Sequence, residues 1–478
     1  MLDIVIIGGG VVGCAIAREL SKYKLNINVV EKNEDVAIGV SKANSGIVHG
    51  GYNEKPGTLK ADLCTRGNAM FDELSKELDV TFRRNGALVV AFNEDEVETL
   101  HRLNKNGAQL GVQGLSILTK EEARKIEPTL SDQIVAALKV PTSGIINPYE
   151  LTIALGENAS MNGVQFLRNS KVTSIEKLED GTFHVFVNKV TKLHTKVVIN
   201  AAGLYSDEIA KMLGAQVPDI TPVKGEYCLF NKIVGGNVTT TIFQVPTETT
   251  KGILVTPTSD GNLLVGPNAT LVSDKEDVST AKRALVKLLS IGDLSIPGTP
   301  VSAMLTTFSG LRPKTANEDF IIEEDKNNKG MINLIGIDSP GLTAAPAIAV
   351  YVKDMVAKVL PLKERADFNP LRKRIPMFSK MTVEEKNALI KEKPAYGKII
   401  CKCELISEGE IIEAIHRPLG AHTVDGIKRR TRATLGGCQG LGCLFPIAKI
   451  ISRELNVPLN QIMKNEPGSN AIGFKEDK

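Results

Sequence analysis

The sequence lacks two features that would assign it to a broad class at once: a long apolar run and a large net charge. Nowhere in its 478 residues does an apolar run reach the roughly 20 residues of a membrane-spanning helix, so we expect no direct membrane span. The formal net charge of +3 is too small to favour nucleic acid as a partner. The apolar run DIVIIG begins at Asp3, so we expect no signal peptide and a cytoplasmic protein, which a partner subunit could still hold at a membrane.

Cysteine is scarce and unevenly placed. Three of the seven cysteines, Cys14, Cys64 and Cys228, stand alone and are interpreted as small buried hydrophobic residues. The remaining four lie close together near the end of the chain: Cys401, Cys403, Cys438 and Cys443. In a reducing compartment such a group favours a metal or redox site over a disulfide framework.

The first 31 residues carry a nucleotide-binding pattern. DIVIIG predicts a strand buried on both faces, GGGVVG a turn and VVGCAIARELSKYK a helix. Gly8, Gly10 and Gly13 form G-x-G-x-x-G, in which glycines allow a tight turn and close approach to a pyrophosphate at the helix N-terminus. Glu31 ends the next predicted strand, where a carboxylate can accept hydrogen bonds from a ribose. The whole pattern predicts a dinucleotide site.

Later segments repeat or interrupt this pattern. Residues 196–214 and 331–360 each read as a strand, a glycine-containing turn and a helix. Residues 81–92 and 219–310 are rich in Val, Thr and Gly and predict an antiparallel sheet inserted in two pieces. Residues 361–396 have many charges and little periodicity, which is typical of a connecting segment.

Together with the fingerprint, the segments VVINAAGLYSD and GIDSPGLTAAPAIA resemble the FAD-dependent glycine/D-amino-acid oxidase superfamily. The resemblance implies an α/β and α+β chain: a discontinuous Rossmann-like FAD-binding domain, an inserted antiparallel substrate domain and a small helical [2Fe–2S] domain. The expected bounds are 1–80, 144–216 and 325–365 for the FAD-binding domain, 81–143 and 217–324 for the substrate domain, 366–396 for a linker and 397–478 for the last domain.

The same resemblance implies which residues surround FAD. The backbone of Gly341, Leu342 and Thr343 is expected at the pyrimidine edge of the isoalloxazine, where a helix N-terminus suits the negative charge of reduced flavin. The full expected set is Gly8, Gly10, Gly13, Glu31, Lys32, Ser41, Asn44, Ser45, Val172, Ala202, Gly203, Asp338, Gly341, Leu342 and Thr343.

The loop SKANSGIVHGGY holds one of only six histidines. With VPTETTKGILVTPTSDGNLLVGP and TFSGLRPKTANEDFII, it resembles the glycerol-3-phosphate oxidases and dehydrogenases. That resemblance implies glycerol 3-phosphate as the substrate and a pocket lined by Ser45, His49, Lys251, Arg312 and Ser339. The related 2-hydroxyglutarate oxidases share the NSG…H element, so L-2-hydroxyglutarate stays an alternative.

The chemistry of these residue types suits alcohol oxidation. A neutral imidazole can take the hydroxyl proton at neutral pH, which assigns that role to His49. Arg312 offers a rigid donor fork and Lys251 a mobile charge, and both can hold a phosphate or a carboxylate. A non-catalytic redox-sensing flavoprotein is the alternative from another class.

The cysteine spacing, C-x-C followed by C-x4-C, can hold zinc or an iron–sulfur cluster, and it favours iron–sulfur because structural zinc sites more often use C-x2-C. The surrounding sequence resembles the [2Fe–2S] domain of bacterioferritin-associated ferredoxin. A one-electron centre implies a partner that accepts electrons, and oligomerisation stays possible. We expect the basic run that contains Lys428, Arg429, Arg430 and Arg432 to offset the negative charge of the cluster.

Overall fold

The computed structural model describes residues 1–246 and 252–471. Its helices, in chain order, are α1 (Val11–Leu20), α2 (Leu59–Glu77), α3 (Glu94–Gln109), α4 (Lys120–Ile126), α5 (Pro148–Met161), α6 (Ser206–Lys211), α7 (Lys282–Ser295), α8 (Gly341–Val356), α9 (Val383–Glu392), α10 (Glu408–His416), α11 (Val424–Thr431) and α12 (Leu444–Leu455). Its strands are β1 (Leu2–Ile7), β2 (Ile27–Val30), β3 (Ile47–Val48), β4 (Phe82–Arg83), β5 (Ala87–Ala91), β6 (Ser116–Thr119), β7 (Ala136–Val140), β8 (Gly144–Ile146), β9 (Gln165–Leu167), β10 (Val172–Lys177), β11 (Phe183–Val187), β12 (Thr191–Asn200), β13 (Thr221–Phe230), β14 (Thr241–Gln244), β15 (Leu254–Pro257), β16 (Leu263–Gly266), β17 (Thr270–Leu271), β18 (Met304–Lys314), β19 (Ile321–Glu324), β20 (Met331–Ile335), β21 (Ile399–Cys401) and β22 (Ile406–Ser407). No helix in the described ranges is both long and apolar enough to cross a bilayer.

The first sheet has eight strands with β1 at its centre. Strands β2 and β12 flank β1 in parallel, and β9 and β20 extend the parallel part. In β1, Ile4 and Ile6 pack into the core with α1, α5 and α8, while Val5 and Ile7 pack on the opposite face against β10 and β11. A strand with both faces covered needs a continuous apolar run, so the prediction from DIVIIG is confirmed. The carboxyl ends of β1, β2, β12 and β20 meet at one edge, where ligands bind in such sheets.

The second sheet has nine strands, drawn from two separate segments of the chain. Strands β5 to β7 come from the first segment and β13 to β18 from the second, and all pairs are antiparallel except β5 with β14. The prediction of sheet throughout 219–310 was wrong over α7, which lies between β17 and β18. The buried positions Leu288, Gly292 and Ser295 follow the i, i+4, i+7 spacing of a helix face, a signal that turn residues on either side obscured.

The connecting segment is more ordered than its composition suggested. Helix α9 begins with a capping box, in which the Thr382 hydroxyl accepts from the Glu385 amide and the Glu385 carboxylate accepts from the Thr382 amide. The T-x-x-E spacing that produces this cap is visible in the sequence. Before α9, the segment is fixed by Arg372, whose Nε donates to Glu157 Oε2 at 2.7 Å.

Glu157 on α5 joins three parts of the chain. Its side chain is fully buried and accepts from Arg372 of the connecting segment and from Arg417, which follows α10. Although burial acts to raise it, the two guanidinium groups hold the pKa of the Glu157 carboxyl below its usual value. A depressed folded pKa stabilises the protein above the unfolded pKa, and this contribution is lost as the pH falls through the folded value.

Replacing Glu157 with Ala is expected to lower the free energy of unfolding by about 3–5 kcal/mol, because it leaves the buried Arg372 and the partly buried Arg417 without their carboxylate. Urea unfolding at neutral pH followed by circular dichroism would measure the loss. Glu98→Ala, on the exposed face of α3, is the matched control and is expected to change stability by less than about 0.5 kcal/mol. A loss at Glu157 no larger than at Glu98 would contradict this assignment.

Candidate functional site

A cavity of about 1930 Å³ opens at the carboxyl ends of the parallel strands. One wall is formed by residues that follow β1, β2, β12 and β20, and the opposite wall by strands of the second sheet. Lys428 and Arg429 of α11 line one end, so the last part of the chain also borders the cavity. Its size suits a large cofactor together with a small substrate.

The glycines of the fingerprint have separate steric roles. A Cβ on Gly8 would lie 2.4 Å from the Ala201 carbonyl oxygen, and one on Gly13 would lie 2.0 Å from the Gly8 carbonyl oxygen. Gly8 also has a φ of +110°, which favours glycine. Gly10 is the N-cap of α1 and lines the cavity, whereas Gly13 is buried in the first turn of α1. The turn and the helix N-terminus therefore leave room for an anionic group at α1.

Two side chains hold this turn in place. The Gly9 amide donates to Glu31 Oε2 at 2.7 Å, and the Val11 amide donates to Ser41 Oγ at 2.9 Å. The other Glu31 oxygen accepts from both nitrogens of Asn33. Burial raises the pKa of the Glu31 carboxyl, although these hydrogen bonds act against it. Each carboxylate oxygen has two lone pairs, so Glu31 Oε2 keeps one for a ribose hydroxyl.

The other expected cofactor residues line the cavity, and the side chains of Lys32 and Asn44 also have partners inside the chain. Lys32 pairs with Glu276 at 3.3 Å and lies 3.8 Å from the centre of the Tyr205 ring. Asn44 is used within its own loop, where its Oδ1 accepts from the Gly46 amide. The residues that line the cavity through other strands and turns are Val172, Ala202 and Gly203.

The turn before α8 brings the second glycine segment to the cavity. Asp338 is buried and accepts from Lys60 Nζ at 2.6 Å. Gly341 and Leu342 line the cavity where their helix begins. The Gly341 amide donates to the Asp338 carbonyl at 2.5 Å, whereas the Leu342 amide, in the first turn, has no acceptor within the helix. Thr343 is fully buried, and its side chain instead supports the loop that carries His49.

His49 follows strand β3 and lines the cavity with a half-buried ring. Its amide donates to Thr343 Oγ1 at 2.9 Å, and its carbonyl accepts from Asn68 Nδ2 at 2.7 Å. Asn68 is in turn held by Arg84, which donates to its Oδ1 at 2.9 Å. The ring centre lies 5.7 Å from that of Phe243 on β14. The backbone of His49 is therefore fixed from two helices, which orients its ring.

Arg312 on β18 lines the cavity on the side of the second sheet. Its Nη2 donates to the Asn268 carbonyl at 3.2 Å, and its guanidinium also contacts the Tyr227 hydroxyl. A Cβ on Gly225 would lie only 2.6 Å from Arg312 Nη2, so the small residue leaves space for the guanidinium. Tyr227 stacks on Phe308 with ring centres 4.8 Å apart, which stiffens this wall.

The remaining expected substrate residues are only partly described. Ser45 and Ser339 both line the cavity; Ser45 precedes His49 in the same loop, and Ser339 directly follows Asp338. Lys251 lies outside the described residues. The structure thus brings Ser45, His49, Arg312 and Ser339 to one cavity.

Replacing Gly225 with Ala is expected to displace the Arg312 guanidinium and to weaken substrate binding about tenfold, a cost of about 1.4 kcal/mol. The dissociation constant of the substrate would be measured from changes in the flavin absorption spectrum. Gly236→Ala is the matched control, since a Cβ there meets nothing within 4 Å. Equal binding by both variants would contradict a substrate contact of Arg312.

Sequence reasoning missed three residues that the fold brings to this site. Lys60 lines the cavity and pairs with Asp338, and Asn68 positions the backbone of His49. Lys42 also lines the cavity, where burial and the nearby Arg429 lower its pKa to about 8. No local pattern marks these residues, because each acquires its role from a distant contact.

The four clustered cysteines form a second site, in which their thiols lie in two pairs. Cys401 contacts Cys443, and Cys403 contacts Cys438. The first pair is buried and the second exposed. Among residues 1–246 and 252–471, no three His, Cys, Asp or Glu side chains are grouped so as to hold one metal ion. Two pairs fit two iron atoms with two thiolates each, whereas structural zinc gathers four ligands around one ion.

Backbone amides point at these sulfur atoms. The hydrogen bond from the Cys443 thiol lowers the pKa of Cys401 to about 6, with further amide donors that include Thr434 and Glu404. The Gly442 amide, together with the contact to Cys403, lowers the pKa of the Cys438 thiol. Amide donors stabilise thiolates, which are the form that binds iron.

The cations of the basic run form ion pairs within the chain. Arg429 and Arg430 pair with Asp35, in the loop after β2, at 2.9 and 2.7 Å. Arg432 pairs with Asp260 at 2.7 Å and with Glu404 at 3.0 Å. Lys428 pairs with Asp425 at 2.9 Å. All four cations have carboxylate partners, and the three arginines attach the last part of the chain to loops of the two sheets. These ion pairs are a role that the sequence did not predict, and the expectation that the cations offset cluster charge stays a prediction.

Comparison with known proteins matches two families on this chain. Residues 3–355 match the FAD dependent oxidoreductase family, DAO, and residues 399–453 match the BFD-like [2Fe-2S] binding domain. The first match includes nearly all of both sheets and most of the cavity lining, and the second includes all four clustered cysteines.

Individual proteins are similar over different lengths. A glycerol 3-phosphate dehydrogenase of Caloramator mitchellensis is 48% identical and covers 98% of both chains. The L-alpha-glycerophosphate oxidase of Mycoplasma pneumoniae, solved with FAD bound, superposes with a TM-score of 0.74 at 36% identity, over 78% of this chain and 98% of its own. The L-2-hydroxyglutarate dehydrogenase of Homo sapiens is 34% identical over 57% of this chain and 62% of its own.

Proposed function

Because the chain belongs to the DAO family of FAD-dependent oxidoreductases, we propose that it oxidises sn-glycerol 3-phosphate to dihydroxyacetone phosphate. The observation that carries this proposal is the 48% identity to a glycerol 3-phosphate dehydrogenase along 98% of both chains. The likeness to an L-2-hydroxyglutarate dehydrogenase is lower and covers only 57% of the chain. Glycerol 3-phosphate is therefore the first choice of substrate.

The described residues fit FAD. Gly8 and Gly13 occupy positions where a Cβ would overlap backbone atoms, and the N-terminus of α1 beside them suits a pyrophosphate. Glu31 suits the ribose, and the N-terminus of α8 suits the flavin ring. Bound FAD would supply the acceptor for the two electrons of the alcohol.

The protein residues would bind the substrate and move its proton. We assign His49 to accept the proton of the secondary hydroxyl at an imidazole nitrogen, with its backbone held by Thr343 and Asn68. Arg312 and Lys251 would hold the phosphate dianion at the other end of the substrate. Ser45 and Ser339, with hydroxyl groups at the same cavity, would orient the substrate between them.

The end of the chain favours a dehydrogenase over an oxidase. The Mycoplasma pneumoniae oxidase is matched over 98% of its length, yet this match covers only 78% of the present chain. The residues beyond it include the two thiol pairs, which would hold a [2Fe–2S] cluster and so supply a one-electron centre. We propose that electrons leave to a protein acceptor in the cytoplasm, since such a cluster suits a reducing compartment.

Anaerobic addition of glycerol 3-phosphate to the purified holoenzyme should bleach the flavin absorption. L-2-hydroxyglutarate, tested at the same concentration, is expected to bleach it far more slowly. If only L-2-hydroxyglutarate bleaches the flavin, the substrate assignment would change to that compound, and the assignment to FAD-dependent alcohol oxidation would stay. An unchanged spectrum with both compounds would favour a redox-sensing flavoprotein and would overturn the enzyme assignment.

A further inference from the structure

The exposed thiol pair lies among apolar side chains that face solvent. Leu405 is two residues beyond Cys403 and 48% exposed, and Leu441, between Cys438 and Cys443, is 93% exposed. Phe445, in the first turn of α12, is 47% exposed. The two cysteine loops touch, because a Cβ on Gly436 would lie 2.4 Å from Cys403 Cβ.

The second sheet contributes one more apolar residue to this surface. Lys232 Nζ donates to Glu404 Oε2 at 2.7 Å, and a Cβ on Gly437 would lie 3.8 Å from Asn231 Nδ2, so the segment that contains Ile233 lies beside the cysteine loops. Ile233 is 82% exposed. We call Leu405, Leu441, Phe445, Ile233 and the two exposed lysines Lys402 and Lys449 the cluster face. Single exposed apolar residues are ordinary, but a group of four around one site marks an interaction surface.

The charge of the cluster face is positive. Glu404 is the only acidic residue in the two cysteine loops and the first turns of α12, and it is matched by Lys232 and Arg432. Lys402 and Lys449 are exposed, and Lys449 Nζ lies 4.4 Å from the centre of the Phe445 ring. An apolar centre with a basic rim complements an acidic protein, because complementary charge raises the association rate and orients the partner.

We propose that the cluster face docks an acidic one-electron carrier protein, which would take electrons from a [2Fe–2S] cluster held by the four cysteines, on the side of the exposed pair Cys403 and Cys438. This inference rests on the proposed function. Oxidation of one secondary alcohol releases two electrons and two protons, so two carriers are each reduced by one electron and the protons pass to solvent. Such contacts are small, with less than about 1,200 Å² buried in total, which matches the few residues of this face.

An anionic membrane is the other surface that could meet these residues. Each lysine near such a surface contributes only about 1 kcal/mol, and the face offers two exposed lysines. A carrier protein can in addition bury the apolar side chains that project from the cysteine loops. The carrier is therefore favoured by the observations.

The test compares two one-electron haem proteins of opposite charge, the acidic soluble domain of cytochrome b5 and the basic cytochrome c. With wild-type holoenzyme and glycerol 3-phosphate, cytochrome b5 is expected to be reduced faster at low salt, and the rate should fall as salt is added. Lys449→Glu, outside the cysteine loops, and Lys402→Glu are each expected to lower kcat/KM for cytochrome b5 about tenfold, roughly 1.4 kcal/mol. Bleaching of the flavin by substrate should stay unchanged.

Matched controls lie far from the cluster face. Lys326→Glu, an exposed lysine in the turn between β19 and β20, should leave the cytochrome b5 rate unchanged. Leu441→Ser is expected to raise KM for cytochrome b5, whereas Val190→Ser, at a residue 85% exposed, should not. Iron content and the electron paramagnetic resonance signal of each reduced variant would verify that the cluster is present. If Lys402→Glu loses its cluster, Lys449→Glu and the salt dependence still decide.

Three results would overturn the proposal. One is an unchanged cytochrome b5 rate in Lys449→Glu, and another is a cytochrome b5 rate in the wild type that does not fall as salt is added. The third is retention of the protein on phosphatidylserine vesicles that Lys449→Glu abolishes and cytochrome b5 does not compete with, which would assign the face to a membrane. In a further experiment, the enzyme is reduced by dithionite and then mixed with cytochrome b5, so that docking is tested without substrate. Transfer in this experiment but not with glycerol 3-phosphate would show that the substrate assignment fails and the docking proposal does not.

Discussion

Replacing His49 with Asn is expected to slow anaerobic flavin reduction by glycerol 3-phosphate about 10²- to 10⁴-fold, the usual contribution of a general base. Asparagine is polar and of similar length, but it cannot take the hydroxyl proton. The backbone contacts of His49 to Thr343 and Asn68 do not depend on its side chain, so the loop should keep its position. Stopped-flow absorbance would give the rate of flavin reduction.

The controls separate chemistry from binding and folding. His184→Asn, on β11 of the first sheet and away from the cavity lining, should leave the rate unchanged. The FAD content and the substrate dissociation constant of His49→Asn should stay close to wild type. A loss of less than tenfold would show that another group takes the proton, and a loss of FAD would show that His49 supports the cofactor site instead.

The cofactor fingerprint could be predicted from the sequence because its determinants are local. Gly8 and Gly13 must be glycine because a Cβ at either position would overlap the backbone of Ala201 or of Gly8 itself. This steric requirement is visible in the sequence as the G-x-G-x-x-G spacing. The fold class and the family were predicted for the same reason, and both are confirmed. The residue bounds of the domains and the roles of the site residues, Lys251 included, stay predictions.

The missed features depend on long-range contacts that no local pattern encodes. Asn68 was missed because its amide meets His49 only after α2 packs beside β3. The ion pairs of the basic run were missed because their partners, Asp35 and Asp260, lie far away in the chain. The sequence shows that the run is positively charged, but only the fold shows which carboxylates pair with each arginine.

These ion pairs place the cysteine site next to the cofactor cavity. Arg432 pairs with Asp260, and Asp260 also accepts from Asn147 at 3.0 Å. Asn147 is the neighbour of Ile146, whose amide donates to the carbonyl of Gly46 at 2.8 Å. Gly46 directly follows Ser45, so these contacts connect the loop at the proposed flavin site to Arg432. Arg432 is two residues before Thr434, whose amide contacts Cys401. An electron exit through the last part of the chain is therefore consistent with how it is attached.

Replacing Cys438 with Ser separates conduction from structural support. We expect flavin bleaching by glycerol 3-phosphate to stay close to wild type, while reduction of cytochrome b5 falls to background, because the cluster loses one of its four thiolates. Cys438 is exposed and lies outside the core of isoleucines that holds α10, α11 and α12, so the domain should keep its fold. Gly442→Ala is the control in the same loop, since a Cβ there meets nothing within 4 Å and its amide is kept. If bleaching fails together with transfer in Cys438→Ser alone, the cluster stabilises the fold and does not carry electrons.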